Sequence, residues 1–491
     1  MRYIPYIPEI FLFVCINVIF FYGSIYNSEN KTLKFFNTSS VCTFLSVASL
    51  LNTLLLLSSS CNEDMYFLSR SSSTIGLEMF LILCTVVVLV GSINYNIKMN
   101  ISSCEYNVFI LISLMCLIYI LNSKNLLFLY LILELQGILS YMLTSLRKKS
   151  KFSIEAGVKY FILGSFSSIL MLFGIAIVYG FTGVFNLDDL LILLSDMLVK
   201  EDEYSYIKVI LVVGFSFILI GLLFKIYCAP LHYWIPDIYL GAPTSTVFFF
   251  AGVPPIVMMT LLINIYFVYL GELVFAFKYV FMGGSAMSMF FGTVGAISQT
   301  KLKKLMAFST IGLVGNALMV LTVGGVNSLV SLYFLLILYT MTSIGIFLIL
   351  SNLFLKNKRP LDNIDFLSLL MPQNKYISLC LSLFLFSLSG IPALSDFYSK
   401  FFLFNTVCSS SEFFLLCLGL SLAVLGTFNY LRLIKMIYFN KQTSLKNSSI
   451  DPLNFGISLL ITLIVIFNLS IWLNSQFLID SILYFSLSEF F

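Results

Sequence analysis

Charge is scarce in this chain of 491 residues. Asp, Glu, Lys and Arg make up 10% of it, against 59% hydrophobic residues, and there is a single histidine, His232. A soluble globular domain carries about 25% charged residues, so that class is excluded. The net charge of +4 is small and scattered, which argues against nucleic acid as a partner. The ten cysteines are dispersed (positions 15, 42, 61, 84, 104, 116, 228, 380, 408 and 417) with no C-x-x-C pair. They are expected to be small buried hydrophobes, neither disulfides nor metal ligands. Glycine-rich phosphate loops and zinc, haem or iron–sulfur spacings are missing too, so no bound cofactor and no metal are expected. The N-terminus runs straight into an apolar stretch without an Arg/Ser-rich leader, and no cleavable presequence is expected. The abundance of Phe (50) and Tyr (27), with Ile, Asn and Lys, is compatible with an AT-rich, organelle-encoded origin.

What is present is a succession of apolar runs near the ~20 residues that cross a bilayer as helix. The pattern predicts an all-α polytopic membrane protein with about 14 transmembrane helices. The runs cover 9–26, 41–58, 75–93, 107–122, 125–146, 156–180, 207–228 with a continuation to 239, 245–269, 273–297, 304–323, 327–354, 375–407, 413–438 and 453–475. Residues 186–199 read as a surface helix, with Asn186 as a candidate cap and Asp188 and Asp189 in the first turn. Lys and Arg collect in the odd-to-even connections: Lys31 and Lys34, Lys98, Arg147 to Lys151, Lys301 to Lys304, Lys356 to Arg359, Lys441 and Lys446. Arg432 and Lys435 face the same side, and acids such as Glu63, Asp64, Asp196, Glu201 to Glu203 and Glu412 occupy the other. That alternation sets an orientation with both termini on the acidic side.

Two stretches carry a proline break beside an intramembrane lysine: 221–243, with Lys225, Pro230, His232, Tyr233, Trp234 and Asp237, and 387–404, with Pro392, Asp396 and Lys400. Proline removes a helical N–H and clashes with the preceding turn. Broken helices five spans apart point to two inverted five-helix repeats, spans 4–8 and 9–13, around a midplane ion path. The chain then divides into 1–106, a three-helix segment; 107–270 and 271–440, the two repeats; and 441–491, a last span and tail. Glu134, Lys159, Lys225 and Lys400 lie inside apolar runs, where an ionisable residue is a functional-site hypothesis. Glu134 and Lys225 can pair if their spans pack, as a proton relay or as a structural ion pair that fixes helix packing. Lys159 follows Glu155, and Lys400 follows Asp396, at i+4 on one helical face. Snorkelling to the interface is the alternative for Lys159. His232 is a candidate proton shuttle or an interfacial packing residue, Lys124 a snorkelling anchor, and Lys301 to Lys304 an orientation signal.

At these residues the chain resembles the subunit 2 family of antiporter-like membrane subunits of respiratory complex I, the NADH–quinone oxidoreductase. The resemblance rests on Pro8-Glu9-Ile10-Phe11-Leu12, Leu133-Glu134-Leu135-Gln136, Glu155 through Gly164, Tyr179 through Gly183, Phe224-Lys225 through Gly241-Ala242-Pro243, Ser298-Gln299-Thr300-Lys301, Ser389-Gly390-Ile391-Pro392 and Ser399-Lys400-Phe401. It covers roughly 8–440. It implies a place in the membrane arm among other complex I membrane-arm subunits and lipid, with NADH and ubiquinone handled by neighbours and a proton moved across the membrane. It implies a multi-pass protein of the mitochondrial inner membrane, or alternatively of a bacterial plasma membrane. It also implies a modulating pair at Glu134 and Lys225, an exit-side lysine at Lys400, and family positions at Lys159, His232 and Asp237.

Two departures stand out. The family's lysine of span eight falls on Pro255, and the histidine of span ten on Leu313, whereas Asp396 occupies what is usually a small-residue position. Three readings follow: a proton-translocating subunit, with water bridging a span opened by Pro255; a structural subunit whose path is interrupted at Pro255 and Leu313; or a free-standing cation/proton antiporter.

Overall fold

The computed structural model describes residues 6–28, 38–58, 63–64, 68–199, 205–270, 274–355, 360–392, 394–410, 412–439 and 450–490. Cys61, Lys31, Lys34, Glu201 to Glu203, Lys356 to Arg359, Lys441 and Lys446 lie outside them, so that share of the expected charge alternation has no structural counterpart. The helices are α1 (Ile7–Ser28), α2 (Thr38–Ser58), α3 (Ser72–Met99), α4 (Ser103–Asn122), α5 (Leu126–Ser145), α6 (Lys151–Thr182), α7 (Leu187–Val199), α8 (Ser205–Lys225), α9 (Trp234–Gly241), α10 (Thr244–Gly252), α11 (Pro254–Ile263), α12 (Val274–Ile297), α13 (Leu302–Leu321), α14 (Val326–Asn352), α15 (Leu370–Gln373), α16 (Lys375–Ser389), α17 (Ser395–Cys408), α18 (Phe413–Tyr438), α19 (Phe455–Leu473) and α20 (Ser475–Phe490). A two-residue hairpin, Glu63–Asp64 with Ser69–Arg70, is the one sheet among the described residues.

Among those residues, thirteen helices are long and apolar enough to cross a membrane. The expected twelfth span, 375–407, is missing from that count because it is two half-helices, α16 and α17, parted at the break expected over 387–404. A backbone in hydrocarbon must satisfy its own polar groups, which is why apolar runs here become helices and little else. The chain is a multi-pass membrane protein. Its most enclosed span is the eighth, α10 and α11 with a π-helical continuation over Asn264–Tyr269; every residue of its apolar window is buried. The eleventh, α14, is nearly as enclosed and packs against α3, α10, α16, α17, α19 and α20. By contrast α6 shows a long apolar face, with Phe152, Phe161, Phe166 and Ile169 exposed.

Several sequence expectations need correction. Cys42 of α2 and Cys104 of α4 are joined in a disulfide, with Cα atoms 5.6 Å apart. The two residues are 62 positions apart, and only the side-by-side packing of α2 and α4 brings them together. The supposed tail contains α20, which packs on α14 and α3. Asn186 does precede α7, but its side-chain oxygen has no hydrogen-bond partner and does not cap it. Lys124 is tied to Asp188 at 3.0 Å, in the first turn of α7, and does not merely snorkel.

Candidate functional site

The two broken helices close in the same way. Residue Tyr227, just past α8, adopts φ +71°, and Gly390, just past α16, adopts φ +78°. In each, the next N–H reaches five residues back: Cys228 to the Leu223 carbonyl at 3.0 Å, and Ile391 to the Phe386 carbonyl at 3.4 Å. This left-handed closure satisfies carbonyls that a helix end otherwise leaves free. Glycine takes such a φ without strain; a tyrosine there costs on the order of 1–3 kcal/mol, which the surrounding packing has to offset. Pro230 and Pro392 both lie in the irregular links that follow, and neither is in a helix.

Each break holds a lysine on a backbone carbonyl. Lys225, the last residue of α8, donates to the Leu133 carbonyl of α5 at 3.1 Å. Lys400, on α17, reaches back to the Leu388 carbonyl at 2.5 Å, in the last turn of α16. That carbonyl belongs to the negative end of the half-helix, which favours a cation. Each lysine lines its own cavity. Lys225 faces a space of about 30 Å³ with Gln136, Tyr160, Ser167, Tyr227 and Tyr239 around it. Lys400 faces a space of about 90 Å³ with Ser309, Asn316, Tyr339, Asp396 and Tyr430. A water occupies ~10–15 Å³ of such volume, so both have room for water and the second for several.

The expected carboxylate partners are placed differently from a simple ion pair. No oxygen of Glu134 lies within 4 Å of the Lys225 ammonium, which sits on the neighbouring Leu133 carbonyl instead. Glu134 is half-buried on a face of α5 whose neighbours Leu131, Leu135 and Ile138 are exposed. Asp396 is 4% exposed, and both its carboxylate oxygens lack a hydrogen bond of normal geometry. Lys400, one turn on, is in electrostatic range of it without a salt bridge.

Lys159 is not inside the bundle. It is 47% exposed and pairs with Glu155 at 2.7 Å and with Asp237 at 3.7 Å; Lys304 shares Asp237 at 3.3 Å. The structure therefore joins Lys159 to the first turn of α9 and not to the Lys225 cavity. Lys303 is more than an orientation signal: it is buried and donates to the Ala242 carbonyl at 3.3 Å. His232 is buried, between the rings of Tyr233 and Phe291 at 4.4 and 5.1 Å, and its Nδ1 has no partner. It lines neither lysine cavity.

Span eight answers the question posed by Pro255. Pro254 and Pro255 open α11 at its first two positions, and neither can donate to the carbonyl four residues back. The Ala251 carbonyl freed in this way accepts at 3.2 Å from the Ser343 hydroxyl of α14, which it shares with the Thr340 carbonyl at 2.9 Å. The break is closed by protein. Leu313 is buried and lines the Lys400 cavity, and Asn316, one turn further along α13, lines the same cavity.

A charged cluster went unnoticed in the sequence. Arg70, in the hairpin's second strand, bonds Glu9 of α1 and, at 2.9 Å, Glu78 of α3; Asn122 donates to Glu78 at 2.6 Å. Glu9, Arg70 and Glu78 are all under 4% exposed. The available signal was Arg70 standing alone on the acidic side, with Glu78 inside an apolar run.

Comparison with known proteins now bears on this geometry. Residues 123–426 match the sequence model of the family described as NADH:quinone oxidoreductase/Mrp antiporter, transmembrane. NADH-quinone oxidoreductase subunit N of Pelagibacter ubique is 34% identical over 441 residues, covering 89% of each chain. NADH-ubiquinone oxidoreductase chain 2 of Oenothera berteroana is 32% identical over 440 residues, covering 88% of each. A chain of respiratory complex I from Thermus thermophilus shares the fold at TM-score 0.78 and 19% identity, over 97% of this chain and 99% of that one. The two half-helix breaks and their lysines thus sit in a chain that belongs to the NADH:quinone oxidoreductase/Mrp antiporter family, among the subunit N and chain 2 proteins.

Proposed function

We propose that this chain is an antiporter-like membrane-arm subunit of NADH–quinone oxidoreductase and takes part in proton translocation, while neighbouring subunits carry the redox chemistry. The observation that carries the reading is the pair of cavities, each built at a helix break around a lysine held by a carbonyl and not by a carboxylate. A lysine so held exchanges protons with water in its cavity without first breaking an ion pair. Lys225 and Lys400 are the exchanging groups, with Asp396 beside the second. Glu134 modulates the first from the outer face of α5.

The position of Glu134 also supports a protein neighbour. A carboxylate facing lipid at the centre of a span costs about 2.5–3.5 kcal/mol, and an adjoining membrane-arm subunit over α5 removes that cost. The relatives' names favour a complex subunit over a free-standing antiporter. The composition favours the mitochondrial inner membrane, with a bacterial plasma membrane as the alternative. The reading of an interrupted path keeps one observation in its favour: the Pro255 break is sealed by Ser343.

The test is the intact complex in sealed vesicles with Lys225→Ala, Lys400→Ala or Glu134→Gln. Protons pumped per electron from NADH fall in each, with the complex assembled. Unchanged pumping in Lys225→Ala and Lys400→Ala supports a purely structural subunit.

A further inference from the structure

The two lysine cavities are separate, and the sealed break in span eight offers no titratable side chain between them. What lies between them is a series of hydroxyls. Tyr227 and Tyr239 line the Lys225 cavity. Ser309, Tyr339 and Tyr430 line the Lys400 cavity. Tyr239 lies on α9, which packs against α13; Ser309 and Thr310 lie on α13, which packs against α14, the helix of Tyr339. The Tyr239 phenol lies in electrostatic range of both Tyr227 and Tyr339, and it faces the Thr310 hydroxyl without a hydrogen bond of normal geometry. The Ser309 and Tyr339 hydroxyls are 3.4 Å apart. Tyr339 and Tyr430 are in turn in electrostatic range of Asp396.

We propose that the hydroxyls of Tyr227, Tyr239 and Tyr339, with Thr310 and Ser309 between them, form the lateral proton bridge from the Lys225 cavity to the Asp396–Lys400 cavity.

Buried tyrosines elsewhere in the molecule make the contrast. Tyr106 donates to the Ser245 carbonyl at 2.9 Å and Tyr266 to the Phe215 carbonyl at 2.6 Å. Those phenols are fixed donors that tie helices together. Tyr239 is 1% exposed and is tied to nothing. A fully buried hydroxyl left without a fixed partner is rare because burial penalises it. One that is free to turn can accept from one neighbour and donate to the next.

The transfer balances without any oxidant. The Lys225 ammonium gives up one proton and becomes an amine. Ser309 and Thr310 donate to the Met306 and Ala307 carbonyls at 2.6 and 2.7 Å and release those bonds as they turn toward the tyrosines. Each hydroxyl along the bridge then forms one O–H bond as it breaks another, so every tyrosine, threonine and serine stays neutral. The proton ends on the Lys400 amine or the Asp396 carboxylate, and water in the two cavities closes the remaining gaps. The same chain runs in reverse when the far cavity is the donor.

The bridge rests on the proton-relay reading above, and the experiment separates the two. The assembled complex is prepared with Tyr239→Phe, Tyr339→Phe, Lys225→Ala and, as a control, Tyr266→Phe, and pumping per electron is measured in sealed vesicles alongside NADH oxidation in leaky ones. Tyr239→Phe and Tyr339→Phe keep the ring and its packing. Each is expected to lose as much pumping as Lys225→Ala, with NADH oxidation in leaky vesicles and assembly unchanged. Tyr266→Phe is expected to pump normally. Full pumping by both Tyr239→Phe and Tyr339→Phe, with pumping lost in Lys225→Ala, overturns the bridge and leaves the relay. Full pumping in Lys225→Ala overturns the relay itself. Should one phenylalanine variant fail to assemble, the other decides, since the two hydroxyls lie on different helices and both are required.

Discussion

Arg70 and Lys400 are both cations inside the helical bundle, and they are held in opposite ways. Arg70 touches two carboxylates, and the space beside it amounts to about 10 Å³, too small for more than a single water. Lys400 touches no carboxylate, is anchored by one carbonyl, and opens on about 90 Å³. The first arrangement fixes α1, the hairpin and α3 to one another through charge. The second leaves the charge without a touching counter-ion and beside room for water, and it is on these two features, not on burial of a cation, that the proposed relay rests. The Lys225 cavity follows the Lys400 pattern on a smaller scale, with about 30 Å³ and a carbonyl from a different helix.

Arg70→Ala leaves two buried carboxylates without their cation, and loss of one partner of a buried ion pair costs about 3–5 kcal/mol. The expected outcome is failed or much reduced assembly of the complex, read by native gel; normal assembly with lost pumping places Arg70 among the proton-handling residues instead. Next in size is Gly164→Ala. A Cβ at Gly164 runs into the Tyr141 hydroxyl, at the wall of the Lys225 cavity. Overpacking of this kind costs about 1–3 kcal/mol, and the melting temperature of the purified complex is expected to drop.

Ser343→Ala comes next. It strips the Ala251 carbonyl of its donor at the Pro255 break, and an unsatisfied buried acceptor costs about 1–3 kcal/mol. A loss near the lower end of that range is expected, because water can enter beside a small alanine; no loss in thermal stability shows that the break was never sealed by this serine. The smallest effect is at the larger cavity. A Cβ at Gly426 meets Thr293 at 3.8 Å, an ordinary contact. Gly426→Ala is expected to stay within about 0.5 kcal/mol of the parent, with pumping unchanged, which sharpens the contrast with Gly164 across the two cavities.

Much of this was legible before any coordinates. Apolar runs locate the spans because hydrocarbon leaves a backbone no alternative to helix. Proline beside an intramembrane lysine marks both breaks, and α8 does end at Lys225. The i+4 spacing of Glu155 and Lys159 becomes a contact of 2.7 Å, since that geometry is internal to one helix. What the sequence left open or misread depended mostly on contacts between helices: Lys159 takes its outward alternative, Lys225 sits on a carbonyl and Cys42 finds Cys104. Asn186 is the local exception, a cap left unmade.

The division has a physical cause. Hydropathy, proline and short-range spacing act through the local chain, and they suffice for an all-helical membrane protein, its two lysine-bearing interruptions and its intramembrane charges. Which carbonyl holds each lysine, which side of α5 Glu134 occupies, how Arg70 gathers two acids and how hydroxyls from α9, α13 and α14 come to lie between two cavities are long-range facts. They depend on the rotation of each helix about its axis, and that rotation is decided by packing against neighbours that the local pattern does not name.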